Sequence, residues 1–68
     1  MFQINQRMKD GTLEQMECQD PNRYVETMYK SKHSFMSGVR ECWAVKIDDP
    51  RRPRYTWDGQ RFVAPEGM

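Results

Sequence analysis

The chain has 68 residues, a net charge of +1 and 31% charged residues, with a mean hydropathy of −1.03. A length and polarity of this kind leave room for one small domain, 1–68, with a thin core; two Trp, three Tyr and three Phe argue against disorder, because each ring buries a large area. No apolar stretch approaches the roughly 18 residues of a membrane span. The opening MFQINQRMKDG carries no apolar secretion run, so the expected location is cytoplasmic, with no membrane partner.

Charge is unevenly placed. Lys9 to Asp20 holds one positive and four negative residues, whereas Arg51 to Arg61 holds four positive and one negative. One end of the chain is acidic and the other basic. Cys18 and Cys42 lie far apart and form no C-x-x-C pair. A disulfide between them and two reduced, half-buried thiols both remain open.

Along the chain, FQINQRM puts Phe2, Ile4 and Met8 at even positions, a strand pattern. KDGT supplies a turn, with Gly11 able to take a positive φ. TLEQMEC returns as an edge strand, with Leu13 on one side and Met16 and Cys18 on the other. QDPNRYVETMYKSK reads as a helix: Asp20 caps it, Pro21 fits its first position, and Tyr24, Val25, Met28 and Tyr29 form one apolar stripe. Lys30 and Lys32 then fall in its last turn, where the helix dipole favours cations.

HSFMSG ends the helix at Gly38. Phe35 and Met36 either tuck under the helix end or form an adaptable apolar contact for a partner. VRECWAVKID predicts a strand with Val39, Trp43, Val45 and Ile47 on the core face and Arg40, Cys42, Ala44 and Lys46 on the other. After the Pro-bounded DDPRRP connection, Asp58-Gly59 is the preferred pair for a two-residue hairpin. That turn would oppose Trp57 to Gln60 and Tyr55 to Phe62, sorting the rings onto one face and Arg54, Thr56, Arg61 and Val63 onto the other.

These elements predict an α+β fold: a small antiparallel sheet of four to five strands, in the order β-β-α-β-β-β, with one helix across one face. The bare face would carry Arg40, Lys46, Arg54 and Arg61, with Arg51 and Arg52 at the adjoining turn. Such a face could hold phosphates of a nucleic acid, or it could be a solvated surface that discourages edge pairing.

Catalysis has little in its favour. His33 is the sole histidine, no Cys/His cluster has metal spacing, and the four glycines are isolated rather than gathered in a phosphate loop. No enzyme activity, metal or cofactor is expected. No ribonucleoprotein aromatic signature, GXXG loop or helix-turn-helix is present, so sequence-specific readout is not expected either.

The element order, with SKHSFMSG after the helix and YTWDGQRFV near the C-terminus, resembles the small phage-encoded anti-CRISPR proteins, in particular a type I-F inhibitor group of about this length. The likeness is one of layout and covers about two-thirds of the chain. It implies a non-enzymatic inhibitor that binds a host nucleoprotein complex, the CRISPR surveillance complex, and blocks target DNA access. Lys32, Phe35 and Arg61 are the residues that carry over. The partner-binding candidates are therefore Lys30, Lys32, Phe35, Met36, Arg40, Lys46, Arg51, Arg52, Arg54 and Arg61. Direct nucleic-acid binding and a structural role as a monomer or weak homodimer are the alternatives.

Overall fold

In the computed structural model, which describes residues 1–66, seven elements follow one another. They are β1 (Phe2–Met8), β2 (Leu13–Cys18), α1 (Pro21–Met28), α2 (Lys32–Phe35), β3 (Val39–Lys46), β4 (Arg54–Trp57) and β5 (Phe62–Val63). The last two positions of the expected 1–68 domain lie outside the described residues. The strands form one antiparallel sheet in the order β2-β1-β3-β4-β5, and the helical layer covers one face of it, an α+β architecture. The edge position expected for the second strand is observed.

The predicted helix begins where the sequence places it and ends early. Asp20 is extended (φ −139°), and its carboxylate accepts from the Asn22 and Arg23 N–H groups, satisfying donors that the first turn leaves without partners. At Tyr29 the backbone turns extended (φ −127°), and Ser31 caps a second helix by accepting from the Ser34 N–H at 3.1 Å. Serine competes for backbone donors in this way, which makes it a better cap than an interior helix residue. One long helix thus becomes two short ones. Lys30 falls between them and Lys32 opens the second, so neither stands in the last turn of α1. The break turns Phe35 into the core, where it is 2% exposed. Of the expected stripe, Val25 is buried and Tyr24 and Tyr29 pack against the core, but Met28 is 61% exposed because α1 ends there.

The third strand is reversed relative to expectation. Register runs Arg7↔Glu41 and then Met8↔Val39, so Arg40 is the extra residue of a β-bulge. The bulge lets Val39 share the helix-facing side with Cys42 and Ala44, and it sends Trp43 and Val45 to the uncovered side. Packing supplies the reason. Phe35, Trp57 and Phe62 already fill the space under the helices, with ring centroids 5.0–6.1 Å apart. Ala44, fully buried between Ile4 and Tyr55 in register, fits there, whereas an indole in its place would overpack the layer.

The last hairpin is also longer than predicted. Trp57 pairs with Phe62 and Thr56 with Val63, leaving a four-residue loop, 58–61. Asp58 organises it: its carboxylate accepts from the Gln60 and Arg61 N–H groups, both at 2.8 Å, while its own N–H donates to the Arg61 carbonyl. The Arg61 and Gln60 N–H groups hold the Asp58 carboxyl below the ordinary carboxylate value. Gly59 supplies the positive φ of +101° that this loop needs. Because Phe62 replaces Gln60 opposite Trp57, the shift is by two residues and every strand side chain keeps its face. Tyr55, Trp57 and Phe62 are on the helix side as expected, but Gln60 and Arg61 belong to the loop.

Two amides tie the layers together. Buried Gln6 donates its Nε2 to the Phe35 carbonyl at 3.0 Å. Asn22 on α1 accepts from the Phe62 N–H at 2.7 Å and donates back to the Phe62 carbonyl at 3.2 Å. Its side chain thereby does for β5 what a neighbouring strand would do. Both cysteines are free thiols; Cys42 is buried and Cys18 half-buried. Burial pushes the Cys42 thiol up to about 12.

Candidate functional site: the open face of the sheet

The face opposite the helices is built in rows. Strand register sets Gln15, Asn5, Trp43, Thr56 and Val63 in one line across all five strands. Beside it runs the row Glu17, Gln3, Val45 and Arg54, and on the other flank Leu13, Arg7 and Glu41. Asn5 lies at the centre and is only 3% exposed. Its Oδ1 accepts from Gln15 at 2.9 Å and its Nδ2 donates to the Gln3 carbonyl at 3.3 Å, so the amide is satisfied within the sheet.

Trp43 stands next to it, half-buried. The Arg54 guanidinium carbon sits 4.4 Å from the indole centroid, within cation–π range. Val63 and Leu13, both about two-fifths exposed at 40% and 39%, extend apolar surface toward the two edges. The result is an aromatic and aliphatic strip under one arginine, with Arg7 and Arg54 balanced by Glu17 and Glu41.

That balance corrects the expected basic face. Of Arg40, Lys46, Arg54 and Arg61, only Arg54 holds a paired position in the rows of the face. Arg40 is the exposed bulge residue, and Lys46 is half-buried on the helix side, opposite Phe2. Arg61 is in the 58–61 loop. Arg51 and Arg52 are exposed in the turn before β4; Arg51 Nε lies 3.6 Å from Asp49, and Arg52 adopts a positive φ of 48°. Arg40 and Arg61 stand toward the end of the sheet where β3 begins and β4 finishes; Lys46, Arg51 and Arg52 stand toward the opposite end. These five cations therefore form no continuous track. Lys30 is exposed between the helices, Lys32 is half-buried at the start of α2, and Met36 packs against the core. Phe35 is a core ring, the first of the two readings the sequence left open, and cannot offer itself to a partner without unfolding α2.

Trp43 was missed as a surface residue because VRECWAVK alternates acceptably in both phases: Cys42 and Ala44 are small and apolar, Trp43 and Val45 large and apolar. The signal available was size, since a strand lying under several aromatic rings takes its small residues inward.

Among the described residues, no group of three or more His, Cys, Asp or Glu side chains could hold a metal ion. No helix among the described residues is long and apolar enough to cross a membrane. No protein-family profile matches the chain, and comparison with curated proteins and with solved structures finds none that is similar.

Proposed function

We propose that this chain is a non-enzymatic binding protein that docks onto a partner through the open sheet face centred on Trp43 and Arg54. The observation that carries the reading is the pairing of an indole and a guanidinium on a face that no described helix covers. Trp and Arg are the residues most enriched where a few side chains dominate a protein–protein interface, and flanking aliphatic surface excludes water around them. The resemblance to type I-F anti-CRISPR proteins supplies the partner class, a host nucleoprotein complex whose access to target DNA the bound protein would block. Direct nucleic-acid binding is the weaker reading, because the open face balances its charges and phosphate contacts need a net cationic track.

Affinity capture from a bacterial lysate, analysed by mass spectrometry, tests this reading. The wild-type chain should recover a defined nucleoprotein complex, and Trp43→Ala and Arg54→Ala should each lose it while giving the wild-type circular dichroism spectrum. Arg54 is exposed, so its removal should leave stability within about 0.5 kcal/mol. Retention of the complex by both folded variants would overturn the assignment of the face.

A further inference from the structure

β2 ends the sheet, and its outer edge has no neighbour among the described residues. The Met8 N–H donates to the Thr12 carbonyl at 2.7 Å, which makes Met8 and Thr12 a hydrogen-bonded pair. Bonded and non-bonded pairs alternate along an antiparallel ladder. In the β1–β2 register, Leu13, Gln15 and Glu17 therefore aim their N–H and C=O groups outward, three donors and three acceptors in a row. Natural proteins usually cover, twist or break such an edge; here it runs six residues, with no proline.

The helical layer also stops short of it. α1 packs over β1, and between α1 and the end of β2 lies an open groove of about 510 Å³ lined by Cys18, Tyr24, Thr27 and Met28 among others. Met28, the most exposed large apolar side chain among the described residues at 61%, forms part of that wall. An added strand would place alternate side chains on this side of the sheet, where the groove can receive one opposite Cys18.

Charge selects the occupant. Glu14 and Glu17 are both exposed, and neither joins an ion pair among the described residues. They are three positions apart on opposite faces of β2. A second copy of this chain pairing edge to edge would bring the Glu14 and Glu17 carboxylates of both molecules into one seam, which like-charge repulsion disfavours. We propose that the β2 edge accepts, by antiparallel strand addition, an extended segment of a partner protein carrying Lys or Arg at positions i and i+3, with an apolar residue immediately before the first cation. That residue would sit opposite Cys18, the first cation opposite Glu17 and the second opposite Glu14. Main-chain hydrogen bonds supply affinity in this mode, and the alternating side chains supply selectivity. This edge adjoins the open face at Glu17 but lies three strands from Arg54, so the two tests are told apart by which amides respond.

The probe is the peptide acetyl-TVKVTKVT-amide, titrated into the full ¹⁵N-labelled chain. Binding should protect the Leu13, Gln15 and Glu17 amides from exchange and leave the Trp43 and Arg54 region unshifted. The Glu14→Lys/Glu17→Lys variant, checked for folding by its thermal melt, should weaken that peptide about tenfold. The same variant should gain binding to acetyl-TVEVTEVT-amide, which wild type rejects. Equal binding of both peptides by wild type, protection at amides outside β2, no binding of the lysine peptide at millimolar concentration, or β2 amides already protected by self-association without peptide would each overturn the proposal.

Discussion

The Asn22–Phe62 contact is the sharpest test of how this domain holds its last strand. β5 has two residues, pairs among the described residues only with β4 and carries Phe62, one of the largest fully buried side chains. On the side away from β4, the Phe62 N–H and C=O are both satisfied by the Asn22 amide, at 2.7 and 3.2 Å, across 40 residues of sequence. Asn22→Ala removes two hydrogen bonds worth about 1 kcal/mol each and leaves partly buried backbone groups to find water, which adds roughly 1 kcal/mol. Alanine is the better helix former by about half a kcal/mol, and this offsets part of the loss. The expected net cost is about 2–3 kcal/mol. For a domain of this length total stability is roughly 3–10 kcal/mol, so the change is a large share of it. Urea unfolding followed by tryptophan fluorescence should show the midpoint falling by about 2 M, at a slope of about 1 kcal/mol/M. Asn22→Asp keeps the acceptor for the Phe62 N–H and loses the donor, so it should fall between wild type and alanine. A midpoint within about 0.5 M of wild type for Asn22→Ala would show that water replaces the amide freely and would refute the role assigned to it.

Two other outcomes follow from the same geometry. Asp20→Ala should cost about 1 kcal/mol, because the Asn22 and Arg23 N–H groups lose their acceptor; hydrogen exchange should speed at those two amides first, and unchanged exchange there would remove the cap. Cys42 should resist iodoacetamide at pH 8 while Cys18 reacts, as read by intact-mass spectrometry, since burial lifts the Cys42 thiol from an ordinary 9.0 to about 12. The folded pKa is the higher one, so this thiol's contribution to stability is complete below about 9 and is lost as pH rises from there towards 12; equal labelling rates at the two cysteines would contradict the burial.

What the sequence alone determined is local. Asp20-Pro21 marks the start of α1 because a capping carboxylate and a fixed φ act within one turn of chain. Phe2, Ile4 and Met8 mark the inward face of β1, and Tyr55 and Trp57 that of β4, because strand alternation has a period of two and the turns respect it. The α+β class follows from those elements in order. The split at Ser31 was also written locally, as serines at 31 and 34, but an apolar stripe running through Tyr29 obscured it.

What the tertiary structure decided is which side of β3 is inside, and with it the candidate site. VRECWAVK satisfies either phase, and the choice falls to volume: Ala44 fits beneath a layer already filled by Phe35, Trp57 and Phe62, and Trp43 does not. The Arg40 bulge reconciles that choice with Val39, which also goes inward. With β3 set, Trp43 meets Arg54 across the open face, Phe35 stays in the core that dictated the choice, and the cations expected on one face fall on a bulge, a turn, a loop and the helix side of β3. None of these placements can be read from neighbours in sequence, because each depends on the space left by side chains that arrive from elsewhere in the chain.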